Sequence, residues 1–321
     1  SLVGSEMCIR DRSLLACLCL TAYSQTTSQA DLLVEEAQKL ESKQDYTTAI
    51  TQLKQADELY VKTGKTQSAE RATCLHILGR CYLNLERPEG LTYTQMAADM
   101  RKTILGETDI KYISSLNNIG LYYLTVAKDY HKATEIHSKT WELCSRIQPR
   151  PEQAFMFHIN LARCYIALGE MDKASAIVEE EIAISKKMYG EKSLSVARQL
   201  QQIGSLYYLS ERKDVGVTYY EQAFNIFPDD SKEYEQLLNW ISSIYLELNN
   251  QPKVLEYMKL AEAHNKKELE KPCDEPGCLT ERAQYFASIG DNDKARAHFL
   301  DALKKCDVNT HKEIVFKVRH Y

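Results

Sequence analysis

Proline and glycine are scarce in this chain, seven and twelve residues among 321. So few helix breakers among so many helix formers leave little room for a turn-rich sheet fold, and they point to an all-α protein. Long apolar runs are missing too: none approaches the roughly 18–20 residues of a membrane-spanning helix. No basic stripe is present, and the net charge of −5 is spread over mixed signs, so no nucleic-acid partner is expected. The catalytic signatures are equally absent. There is no phosphate-cradling glycine loop, no HExxH zinc helix and no GxSxG elbow, and none of the eight histidines is followed by glycine. The expectation is a non-enzymatic protein that needs no cofactor or metal.

The first residues stand apart. Residues 1–12, SLVGSEMCIRDR, mix both charge signs without a hydrophobic period, and they resemble the translation of a transposase sequencing adapter. They are set aside from the fold as an artefact. Residues 13–24 read as a truncated signal peptide, with an apolar run from Leu14 to Ala22 and small residues suited to cleavage after Ser24. That implies export to the periplasm or the exterior. The alternative is a lipid anchor on Cys17, since Leu14-Leu15-Ala16-Cys17 resembles a lipobox. No membrane segment is expected after cleavage. Residues 25–29 form a polar linker.

From residue 30 the chain repeats itself. The segments LHILGRCYLNL, LNNIGLYYLTV, HINLARCYIAL, LQQIGSLYYLS and LNWISSIYLEL each place a small residue three positions before a tyrosine. The small residues are Gly79, Gly120, Ala162, Gly204 and Ser242, separated by 41, 42, 42 and 38 positions. Ala37 with Leu40 and Ala283 with Phe286 extend the series to seven units over residues 30–306. Twelve residues after the small residue comes a second series: Ala49, Ala174, Gly216, Val254 and Ala295. Bulky Leu53, Val178, Tyr220, Met258 and Phe299 follow four later, then Ala56, Ala223, Ala261 and Ala302. Small residues at such spacings let paired helices approach closely, and the bulky ones fill the gap to the next hairpin. Short turns such as ALGEMDKA and SIGDNDKA use Gly169 and Gly290 as left-handed helix stops. The second unit reads as degenerate, with Leu91 and Gln95 at the alanine and aromatic positions. The third carries one extra residue before Ala133.

These marks resemble the tetratricopeptide repeat (TPR), and the long period with Gly106 and Gly190 looks like the arrays of kinesin light chains and related bacterial proteins. The resemblance implies a right-handed superhelical solenoid of antiparallel helix pairs, with a protein or extended peptide bound in its concave groove. On the family pattern that groove takes His76, Arg80, Asn117, Arg163, Gln201, Tyr208 and Asn239. Asn118, Asn160 and Gln202, each 42 apart, resemble the asparagine ladder of the kinesin-type arrays. The lysine-and-asparagine clamp of chaperone-binding TPRs is not reproduced. A different reading also follows from the resemblance: residues 307–321 begin a truncated further unit, and the array is the sensor arm of a longer chain with a caspase-like CHAT peptidase or a histidine-kinase module.

Cysteines outside the first residues read as small hydrophobes on helix faces. The exception is KPCDEPGC, where Cys273 and Cys278 flank a Pro-Gly loop and could form a local disulfide in an exported protein.

Overall fold

The computed structural model describes residues 29–270, 275–288 and 290–305. Among them every regular element is helical. The chain divides into two compact units, with the boundary between Arg212 and Lys213. The first unit contains α1 (residues 29–42), α2 (Tyr46–Lys62), α3 (Ala69–Asn84), α4 (Glu89–Leu105), α5 (Ile110–Leu121), α6 (Tyr130–Ser145), α7 (Ala154–Ala167), α8 (Met171–Tyr189) and α9 (Leu194–Leu209). The second contains α10 (Lys213–Phe224), α11 (Lys232–Glu247), α12 (Gln251–Glu270), α13 (Pro276–Ser288) and α14 (Asn292–Lys305). None of the described helices is long and apolar enough to cross a membrane. The expected signal peptide and linker, Cys17, and the expected further unit lie outside the described residues, apart from residue 29 itself.

Each helix packs chiefly on its neighbours in sequence within its unit, the contact pattern of an all-α TPR solenoid. Local chemistry fixes where the helices start. Asp45, Ser68, Asp109, Asp129, Ser193 and Ser231 each accept a bond from a backbone N–H of the following first turn. Gly169 and Gly290 have positive φ after α7 and α13, as the turn sequences predict. Burial follows the repeat. Ala37, Ala162, Ala283, Ala49, Ala133, Ala174 and Ala295 are all buried, as are Leu53, Val178, Tyr220 and Phe299. Met258 departs from this: it is 57% exposed, because α12 buries Val254 and Tyr257 instead.

The second unit is shorter by one residue rather than degenerate. Gly90, Thr94 and Ala97 take the buried positions, while Gln95 is exposed. Shifting the register by one restores the small–medium–small pattern, which the expectation with Leu91 and Gln95 lacks. The extra residue of the third unit is absorbed by a π turn at Tyr122–Val126, closed by Ala127 N–H donating to Tyr122 O at 3.0 Å. Ala133, His137 and Thr140 thereby regain the buried face of α6.

The close approach is tightest where glycine stands. A Cβ on Gly79 would lie 2.2 Å from Thr94 Oγ1 and 2.9 Å from Thr94 N; one on Gly120 would lie 2.6 Å from His137 Nε2. Gly120→Ala should therefore destabilise the chain by about 1–3 kcal/mol in urea unfolding. Because the obstruction is a side chain, the same change made in a His137→Ala background should lose most of that penalty. Equal penalties in both backgrounds would mean that the α5–α6 seam is not held at this distance.

Candidate functional site

The first helices of the first unit are joined to one another by polar side chains. Arg80 on α3 pairs with Glu41 on α1 through two guanidinium nitrogens. His76 Nδ1 on α3 lies 3.2 Å from Ser115 Oγ on α5. Asn160 Nδ2 on α7 donates to Asn117 Oδ1 on α5 at 2.9 Å, and Arg163 Nη1 reaches Asn160 Oδ1 at 3.4 Å. The pairs are 39, 39 and 43 residues apart, near the repeat of 41–42, so each joins one first helix to the next at positions offset by one to three residues.

Asn117, Asn118 and Asn160 are buried, and so is His76; Arg80 and Arg163 are half-buried. Within the ladder, Asn160 bonds to Asn117 and not to Asn118, whose Nδ2 is buried without an acceptor among the described residues. Gln201 and Tyr208 are half-buried on α9, and Gln202 is exposed there. Asn239 is exposed on α11, in the second unit. The geometry thus brings His76, Arg80, Asn117 and Asn160 into inter-helix contacts, with Arg163 bonded to Asn160 within α7.

Arg101 extends that series, and no repeat mark in the sequence singles it out. It comes from the second helix α4, is 4% exposed, and donates through Nη1 to Lys111 O at 2.9 Å and Ser115 Oγ at 2.8 Å. Burial pushes its pKa down to about 10. Burial, with Arg101 and Arg80 beside it, also holds the His76 imidazole well below its ordinary value, so that ring stays neutral. The one signal for Arg101 is helical phase, seven residues after the buried Thr94. The chemistry offered is hydrogen bonding: amides that donate and accept, and cations with unfilled donor capacity. Among the described residues no group of three or more metal-ligating side chains occurs.

Cys74, Cys81, Cys144 and Cys164 are buried free thiols, in keeping with their reading as small hydrophobes. Burial pushes the Cys74 thiol up to about 12, so it is an inert one. Cys278 is disulfide-bonded; Cys273, the expected partner, lies outside the described residues.

Comparison with known proteins agrees with this architecture. Residues 152–229 match the tetratricopeptide repeat family model. No curated protein sequence matches the chain. The fold is similar to nearly identical TPR-like repeats of a kinesin light chain from Podosopora anserina, at 18% identity and a TM-score of 0.51, covering 64% of this chain and 95% of that one. It is similar also to a Rap protein complexed with competence and sporulation factor, at 15% identity and a TM-score of 0.53, covering 89% and 75%. Aspartyl phosphate phosphatase F from Bacillus subtilis gives 16% identity and a TM-score of 0.53, covering 91% and 74%. Residues 152–229 thus carry the tetratricopeptide repeat, and the chain shares the helix-pair fold of these solved TPR structures.

Proposed function

We propose that this protein is a non-catalytic scaffold that binds an extended peptide or protein segment along the first-helix face of its first unit. The observation that carries the reading is the polar seam from Arg80 through His76 to Asn117, Asn160 and Arg163. Buried amides and guanidinium groups on a repeat surface match the needs of an extended backbone, which presents a donor and an acceptor at every residue. Solved structures of similar fold include a Rap protein in complex with a factor, which accords with a binding role for such arrays. Export of the mature chain belongs to the same proposal, on the strength of residues 13–24.

A displayed peptide library selected on the intact chain tests it. Selected peptides should lose at least about tenfold in affinity against Asn117→Ala and Arg163→Ala, the size expected when one or two hydrogen bonds to charged or buried groups are removed. Unchanged binding of every selected peptide would reject this face.

A further inference from the structure

The second unit exposes apolar surface along α12. This helix buries Val254 and Tyr257, and its opposite side carries Pro252, Leu255, Glu256, Lys259 and Ala263. Counted from Pro252 these fall at 3, 4, 7 and 11 residues, the spacing of one helix face. Leu255 is 57% exposed, and Leu260 at the edge of the strip is 37% exposed. Pro252, Leu255, Glu256, Lys259 and Leu260 line one shallow depression. Met258 adds apolar surface on the other edge, although the repeat aligns it with the buried Leu53, Val178 and Tyr220. The middle of the strip holds one acid and one base. The Glu256 side chain is half exposed and pairs with Lys253 of its own helix at 3.2 Å. Lys259 is exposed and has no ion pair among the described residues.

A two-fold contact between identical chains needs a surface that complements itself, residue i meeting j while j meets i. The α12 strip meets this condition in the antiparallel sense. About a two-fold axis at the level of Tyr257 and Met258, Glu256 of each copy comes opposite Lys259 of the other, and Pro252 opposite Ala263. Parallel pairing in register would instead set Glu256 against Glu256, which is repulsive. We propose that α12 is a self-association surface on which a second copy of this chain docks its own α12, antiparallel. Leu255 and its apolar neighbours form the contact, and two Glu256–Lys259 ion pairs fix its register. One helix laid on another buries less than the roughly 1,200 Å² of standard stable complexes, so the dimer is weak, with a dissociation constant of about 10–100 μM. The strip lies on a second helix of the second unit, so the inference goes beyond the peptide-binding face and does not depend on it.

Sedimentation velocity on the full chain, at concentrations from about 1 to 300 μM, tests the proposal. The sedimentation coefficient should rise from that of a monomer to that of a dimer across this range. Glu256→Lys and Lys259→Glu, each checked for an unchanged melting temperature, should weaken self-association at least about tenfold, because each turns both attractive pairs into repulsive ones. An equimolar mixture of the two variants should dimerise again, since opposite signs then face each other in both pairs across the axis. The concentration series on the unaltered chain stands even if a variant does not fold. A monomer at every concentration would overturn the proposal. So would a dimer that neither folded variant weakens, which would place the contact elsewhere, or a mixture that associates no better than the variants alone.

Discussion

Glu181→Ala should unfold the chain at markedly lower urea, with a loss of about 3–5 kcal/mol, although alanine is the residue that the repeat pattern calls for at this position. Glu181 is fully buried on α8, seven residues after Ala174. Its carboxylate accepts from Arg150 Nη2 at 2.6 and 2.8 Å, and from His158 Nδ1 at 2.8 Å. The Trp141 indole stacks on the His158 ring at 3.7 Å, and Arg150 lies over the same indole. Removing the carboxylate leaves a guanidinium and an imidazole facing each other without an acceptor, and that is what makes the change severe. A chain that also carries Arg150→Met and His158→Leu should recover most of the loss, because no polar group is then stranded. A single-variant loss below about 1 kcal/mol would show that the triad is not formed in the folded protein.

Acid should weaken the fold through His137 well before most carboxylates protonate. This imidazole is fully buried opposite Gly120, neither ring nitrogen has a partner among the described residues, and burial with nearby Arg163 pushes its pKa down to about 4. An unfolded histidine titrates near 6.5, so between about 6.5 and 4 the unfolded chain binds the additional proton and stability falls as pH falls. Stability is complete above that window. Going from pH 7 to pH 5, this group alone should remove about 2 kcal/mol, since each tenfold difference in proton affinity between the folded and unfolded chain is worth about 1.4 kcal/mol. His137→Leu keeps the apolar contact and should flatten that part of the pH profile by the same amount. Equal slopes for both proteins between pH 7 and 5 would place the imidazole in water rather than in the seam.

Repeat spacing makes most of the fold legible. The small residue, the tyrosine three later and the alanine twelve later locate both helices of a unit, and the second helices α2, α8, α10 and α14 bury the positions that the spacing names. What stays hidden are one-residue changes of register. Pro88-Glu89-Gly90 looks like a disrupted unit when Leu91 is counted as the partner of Gly79, whereas Gly90 and Thr94 make the contact. The extra residue of the third unit is visible, but nothing in YYLTV announces that a π turn absorbs it inside the helix.

The polar residues are harder still. Glu181 ends a run of three glutamates, and only its phase relative to Ala174 shows that it points inward. Arg101 follows the same rule relative to Thr94. The ladder asparagines stand out by their spacing of 42. That spacing does not reveal which partner each takes, because a neighbour one residue away, Asn117, is the one that bonds to Asn160 across the seam.

Hydrogen exchange of backbone amides, read helix by helix in the native chain and in Glu181→Ala, bears most directly on the claim that each hairpin is held by its immediate neighbours. Stability in such an array is local, so the substitution should speed exchange in α6, α7, α8 and α9 and leave α13 and α14 at their native rates. Uniform acceleration across all helices from α2 to α14 would reveal one cooperative core and contradict a stack of neighbour-held repeats.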